Sequence, residues 1–481
     1  MRTHHDLSSY PSTTMIALAL LLGACDKGEQ DSADPVVQGP PLPVDLCSST
    51  GYTLLRAADL GQPVDWDEND RFDLESSALD GLLTLAGFES LTPVSYGLRL
   101  YKYRYTTQDR GVQVEATGMI AFPAHLEAAP SEPWPVALML HGFAGANDAC
   151  APSADSLIGP VQPALLAANG FVVIAPDYIG MNGMGAGSTA HHAPQVGEQV
   201  AIGSWDALRA GLALVRGELA DEIEGEVRED VVIWGASQGG HAAFFVELAG
   251  PYYAPEFEVV AVAASAPAHS LVSVVSHAMA EYSDPTALAA LSLVGMRRWY
   301  DAPADLHGLL TNEEPWYFAD TVEEALMGEM EECEPEVDFD ADSIDEVGDI
   351  YTEQFISAVL AGDWDGVEPW SCYVHESSAS SSSIPRLRST PVLAVYGSED
   401  TLVVPEYQRD DFDLLCEQGW DLEQIECAQA GHSEGTLWSL PAQLDWLRER
   451  LAGTERDPAR ACVWNEPVCC PATPEDVTCE D

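Results

Sequence analysis

Two kinds of apolar pattern divide this chain. Between residues 97 and 123, "GLRLYKYRYTT" and "GVQVEATGMIAFP" alternate polar with apolar side chains around Asp109-Arg110-Gly111, the pattern of an antiparallel hairpin. From residue 135 the texture changes to short unbroken apolar runs: "PVALML" (135–140), "FVVIAP" (171–176), "VVIWG" (231–235), "EVVAVAAS" (258–265), "PVLAVYG" (391–397) and "IECAQAG" (425–431). Continuous rather than alternating apolarity reads as strands buried on both faces, as in a parallel sheet covered by helices. Helix-period segments at 195–217, 238–249 and 434–452 fall between the runs. The pattern therefore predicts an α/β fold: a mostly parallel sheet of eight strands flanked by helices, with an antiparallel start.

One interval breaks the rhythm. More than a hundred residues separate the run at 258–265 from the one at 391–397. They hold helix-like segments such as "PTALAALSLVGMRRWY" and "VGDIYTEQFISAVLAG", and a structureless loop of that length would be unusual. Residues 272–388 are therefore expected to form an inserted helical cap, or lid, returning to the core through a flexible Ser-rich stretch, "ESSASSSSIP" (376–385). This divides the core into a first part, 47–271, and a second, 389–452, with a Cys-rich tail at 453–481.

The start of the chain has a different character. After Arg2, "MIALALLLGAC" is an apolar run of signal-peptide length, too short for a membrane span. Its end, Leu22-Gly23-Ala24-Cys25, resembles the lipobox of bacterial lipoproteins. That resemblance implies a signal over 1–25, lipidation of Cys25, export, and a membrane anchor in the cell envelope. An ordinary secretory signal is the alternative, and it too takes the protein out of the cytoplasm. Residues 26–46 are polar and Pro-rich, a linker from membrane to domain.

Charge and cysteine narrow the chemistry. The 79 acidic residues against 20 basic ones give a formal net charge of −59. Such a surface repels phosphate backbones, so nucleic acid is excluded as a partner. Of 11 cysteines, setting Cys25 aside for lipid leaves an even number suited to disulfides in an oxidising compartment, with connectivity open. A zinc site in the tail is the rival reading, but vicinal Cys469-Cys470 without a nearby His lacks the usual ligand spacing. "DFDADSIDEVGD" (338–349) places Asp338, Asp340 and Asp342 as in a calcium loop. It has Ser343 where glycine is needed and ends in Asp349 rather than Glu, so an acidic helix start is the better reading. His191-His192 reads as pocket wall or loop surface. No metal and no cofactor is expected.

The chain carries G-x-S-x-G twice, at "GASQG" around Ser237 and "GHSEG" around Ser433. This motif marks a serine nucleophile on a tight strand-to-helix turn, where strand and helix approach so closely that small residues are required. Ser237 follows "VVIWG" and precedes Gly239, Gly240 and Ala242; the helix after Ser433 is bulkier. In this fold the order along the chain is Ser, then Asp or Glu, then His. No histidine follows position 432, so Ser433 cannot be the nucleophile in that order. Ser237 has both partners ahead of it: Asp400 in "VYGSEDTLV", with Glu399 as the runner-up acid, and His432 after the last strand. His432 would take the Ser237 proton and return it to the leaving group, oriented by Asp400. The backbone N–H groups of Gln238 and of Phe143, in "HGFAG" after the first parallel strand, are the expected oxyanion donors.

The order "HGF", "PDYIGMNGMG", "GASQGG", "GSEDTLV", "GH" is similar to that of the α/β-hydrolase fold, over about residues 94–452. The "PDY-x-G" loop at 176–180, the cap position and the Cys-containing segment before the base resemble the secretory lipase and carboxylesterase branch. That resemblance implies hydrolysis of a small-molecule carboxylic ester or lipid through an acyl-enzyme, beneath a lid. A serine peptidase or acyl-aminopeptidase of the same fold is the alternative enzyme. A non-catalytic surface binding protein on a hydrolase scaffold is the third reading. The lipobox, the Cys-rich tail and the extreme acidity depart from the family, so its substrate range is not carried over.

Overall fold

The protein is represented by a computed structural model, which describes residues 39–44, 47, 51–85, 94–126, 128, 130–155, 158–185, 189–300, 306–313, 317–319, 344–475 and 477–479. Val37–Asp481 forms one compact unit. The expected signal, Cys25, most of the linker, Cys333 and Asp338, Asp340 and Asp342 lie outside the described residues. Among the described residues no helix is long and apolar enough to cross a membrane.

Nine strands form a single sheet: β1 (Pro63–Leu74), β2 (Gly97–Asp109), β3 (Val112–Ala124), β4 (Trp134–Leu140), β5 (Val172–Pro176), β6 (Val227–Ala236), β7 (Val259–Ser265), β8 (Pro391–Gly397) and β9 (Asp421–Cys427). Their order is β1-β2-β3-β5-β4-β6-β7-β8-β9. The first three run antiparallel to their neighbours and the rest pair in parallel. The sheet is thus mostly parallel, as expected, but it has nine strands rather than eight. The additional strand, β1, is "PVDWDENDRFDL", dense in Asp and Glu. As an edge strand paired only to β2 it need not bury a face, so no apolar run announces it. β9 also starts and ends four residues earlier than the run at 425–431 suggested.

The central strands alternate between two apolar layers, as the two-residue period of a strand requires. Val136, Leu138 and Leu140 of β4 face one core, together with α3 (Gly197–Arg216) and α4 (Gln238–Tyr253). Ala137 and Met139 face the other, against α2 (Val161–Ala168) and the C-terminal helix His432–Leu451. A further helix, α1 (Ser76–Leu85), covers the same side near β2.

After β7 come α5 (Leu271–Ala280) and α6 (Asp284–Trp299), then the helices Glu353–Leu360 and Trp370–Glu376. They share a third apolar cluster, including Val275, Leu293, Phe355 and Tyr373, which rests on Ala394 and Tyr396 of β8. Asp349 accepts the N–H of Glu346 at 3.0 Å and caps a short helical turn, the acidic helix start expected there. The Ser-rich return is not a flexible tether. Ser377 and Ser378 are fully buried, and Ser378 Oγ accepts the Leu271 N–H at 2.8 Å while donating to the Val374 carbonyl at 2.8 Å. Its hydroxyls serve as caps for neighbouring backbone.

The tail is fastened to the core. Cys416 pairs with Cys462, Cys427 at the end of β9 with Cys470, and Cys469 with Cys479; Cys47 joins the segment before β1 to Cys372 in the cap region. Disulfides thus take up the tail thiols a zinc site would need. Between these bonds the tail runs beside β9: Cys462 N–H donates to Leu422 O, Asn465 N–H to Gln424 Oε1 and Val468 N–H to Glu426 O, each at 2.8 Å.

Candidate active site

β6 ends at Ala236 and α4 begins at Gln238, leaving Ser237 alone to turn the chain, with φ 57° and ψ −121°. A non-glycine residue in this left-handed region stores strain, on the order of 1–3 kcal/mol, that the surroundings must hold. They do so by close backbone packing. A Cβ at Gly235 would come 2.1 Å from Gly239 O, one at Gly239 1.9 Å from Leu140 O, and one at Gly240 2.6 Å from Ser265 O. The Ser237 N–H donates to Ser265 O at 2.8 Å. Gly239→Ala should therefore destabilise the protein by at least ~2 kcal/mol, because the new methyl meets fixed backbone. Gly81, in α1 with nothing within 4 Å of an added Cβ, is the control. Gly81→Ala should stabilise by about 0.5–1 kcal/mol. Thermal unfolding of both variants checks the contrast.

His432 opens the C-terminal helix, and its Nε2 stands 2.9 Å from Ser237 Oγ. Its Nδ1 is 2.8 Å from Asp400 Oδ2. Asp400 follows β8, its carboxylate fully buried, and its Oδ1 accepts the N–H groups of Leu402 and Val403, both at 2.9 Å. One oxygen is thus fixed by backbone and the other left for the imidazole. Glu399 is exposed; consecutive residues leaving a strand point in different directions. Ser433 is also exposed, in a helical first turn entered through Gly431 at φ −79°, without the left-handed backbone of Ser237.

The chain leaving β4 passes beside the serine: a Cβ on Gly142 would lie 3.4 Å from Ser237 Cβ. Among the described residues the N–H groups of Phe143 and Gln238 make no hydrogen bond to protein. Gln238 is buried and Phe143 is 39% exposed. Above Ser237 is an apolar cavity of about 50 Å³, walled by Phe143, Leu271, Val275, Leu288, Met296 and His432. α5 and α6 supply four of these six. Of the two adjacent histidines, His191 is exposed and His192 buried. The sequence distinguished them no further than pocket wall or loop surface.

The sheet order, the strained turn after β6 and the helical insertion after β7 define an α/β-hydrolase fold. Residues 159–332 match the model of the secretory lipase family, which agrees with the resemblance seen in the sequence. Among solved structures, the rice cell wall degrading esterase LipA from Xanthomonas oryzae is similar, with 18% identity, a TM-score of 0.65, and 82% of this chain and 99% of that one covered. So is a putative hydrolase from Legionella pneumophila, at 17% identity and TM-score 0.64, covering 82% of this chain and 100% of the other. Candida antarctica lipase A in its closed state matches at 14% identity and TM-score 0.58, over 90% of this chain and 92% of that. These likenesses show the fold. No curated protein sequence matches the chain.

Proposed function

We propose that the protein is an exported, lipid-anchored serine esterase or lipase that cleaves carboxylic esters through an acyl-enzyme. The observation carrying this reading is the continuous hydrogen-bonded line from Ser237 Oγ through His432 to the buried Asp400 carboxylate. His432 Nε2 accepts the serine proton as Oγ attacks the ester carbonyl carbon, and Asp400 stabilises the imidazolium that forms. The N–H groups of Phe143 and Gln238 receive the developing oxyanion. Collapse expels the alcohol, which takes the proton from His432; water then enters the same site, is deprotonated by His432 and releases the acid.

The cavity of about 50 Å³ is far below the ~300 Å³ of an ordinary ligand site, so all but small acyl groups require α5 or α6 to move. The cap is therefore proposed to set substrate size, as a lid does.

An active-site serine probe followed by turnover assays tests this reading. It expects labelling at Ser237 and hydrolysis of acyl esters with negligible cleavage of peptide amides. Faster amide cleavage would give the protein to the peptidases, and labelling without turnover of either would make it a binding protein. For the anchor, Cys25→Ser should move the active enzyme from the membrane to the soluble fraction. Persistence in the membrane fraction would show that lipid on Cys25 does not hold it.

A further inference from the structure

Three rings that the proposed chemistry leaves unused lie beside the two N–H donors. His141 directly follows β4, while Tyr178 and His192 belong to the loop after β5, and all three are buried. They form a stack. His141 lies on Tyr178 with centroids 4.2 Å apart and planes 30° from parallel, and Tyr178 on His192 at 5.6 Å and 10°.

Each end of the stack grips one side of the proposed oxyanion hole. At the first end, His141 Nδ1–H donates to the Gly142 carbonyl at 2.6 Å. That carbonyl and the Phe143 N–H belong to one planar trans peptide and point in opposite directions. Holding the oxygen on His141 therefore turns the Phe143 N–H away from the ring. The Tyr178 hydroxyl donates to the His141 carbonyl at 2.9 Å, fixing the preceding peptide as well. At the second end, the Gln238 side-chain amide donates to His192 Nε2 at 3.0 Å.

The loop after β5 is shaped to make this stack. Tyr178 is held at φ 74°, a left-handed conformation that a bulky side chain adopts only when its surroundings impose it. Asp177, just before it, is fully buried and accepts the Ser153 N–H at 2.9 Å and the hydroxyls of Ser153 and Thr117 at 2.5 and 2.6 Å. A Cβ at Gly180 would come 2.0 Å from the His192 backbone nitrogen, so glycine lets the returning chain lay His192 against Tyr178. Burial lowers the His192 pKa to about 3, which keeps the ring neutral and able to accept.

We propose that the His141–Tyr178–His192 stack is a spacer setting the separation and aim of the two oxyanion donors, with Tyr178 and His192 as positioning residues acting through the Gly142–Phe143 peptide and Gln238. The proposal rests on the serine-esterase reading above. It links two donors that follow different strands, Phe143 in the loop after β4 and Gln238 at the start of α4, to one column of rings, the first through its own peptide and the second through its side chain. Neither ring touches the reacting atoms.

The test uses the full-length protein with His192→Leu, which removes ring and acceptor, and His192→Gln, whose Oε1 can stand where Nε2 stood. For each, kcat and KM are measured on a p-nitrophenyl ester. Ki is measured for a trifluoromethyl ketone of the same acyl chain, whose serine adduct carries the oxyanion. Loss of a whole oxyanion donor lowers kcat on the order of 10²–10³-fold, and a mis-set donor should lose less, roughly 10-fold. His192→Leu should therefore lower kcat with KM nearly unchanged, weaken the ketone by a matching factor, and be largely rescued in His192→Gln. If kcat and ketone affinity stay at wild-type values, or if His192→Gln is as impaired as His192→Leu, the spacer role is overturned. Should His192→Leu fail to fold, Tyr178→Phe keeps the stack and removes the bond to His141; it must show the same paired loss. A wild-type enzyme without ester turnover would instead sink the esterase reading, a distinct result.

Discussion

Ser237→Ala should abolish hydrolysis of a p-nitrophenyl ester, with kcat falling on the order of 10⁶-fold, while Ser433→Ala keeps most of it. The two serines share a sequence motif and differ in structure. Ser237 is held at φ 57° with its Oγ 2.9 Å from His432 Nε2, whereas Ser433 is exposed on a regular helical turn. Removing the hydroxyl leaves His432 with no proton to accept and the ester carbonyl with no nucleophile. Alanine carries the same Cβ, so the elbow strain is unchanged and the variant should fold as well as wild type. Circular dichroism alongside the kinetics separates loss of chemistry from loss of fold. Full activity in Ser237→Ala would remove the nucleophile assignment and everything built on it.

Asp400→Asn should lower kcat by roughly 10⁴-fold, and Glu399→Gln should be mild. An amide at 400 offers His432 Nδ1 a donor as well as an acceptor, which permits the tautomer whose Nε2 carries a proton and cannot take one from serine. It also removes the negative charge opposite the imidazolium. Because Oδ1 is held by the N–H groups of Leu402 and Val403, the replacement has little freedom to turn away. Asp400 is buried at 3% exposure while Glu399 faces solvent. Initial rates for both variants decide the matter: a severe Glu399→Gln beside a mild Asp400→Asn would exchange their roles.

The legible parts of this molecule were those where one residue type is physically forced. Gly235, Gly239 and Gly240 are demanded by backbone contacts of 2.1, 1.9 and 2.6 Å, so the tight strand-to-helix turn at Ser237 was legible in the sequence. The buried strands spelled themselves out because apolar layers cover both faces. Three features stayed hidden. β1 pairs on one side only and carries no apolar run. Ser377 and Ser378 read as flexible because composition does not reveal that both are buried or that the Ser378 hydroxyl meets the backbone of Leu271 and Val374. The ring stack involves residues 141, 178 and 192, whose neighbourhood depends on how two loops cross. For the cysteines, number pointed to an oxidising compartment, but the pairing of Cys427 with Cys470 follows from the path of the tail.

That path bears on how copies of the protein behave at high concentration. A sheet ends in strands whose outer N–H and C=O groups can recruit another chain, and natural proteins must blunt such borders. Here the two borders are treated differently. At β9 the residues from Cys462 to Val468 occupy the outer hydrogen-bonding positions themselves, locked by covalent bonds at either end. At β1 the border is left to charge: Asp65, Asp67 and Glu68 stand along it, where a second copy would bring the same sign against them. The first border fails under reduction and the second under acid or high salt, so aggregation should take two separate routes, each set by solution conditions rather than by loss of the core.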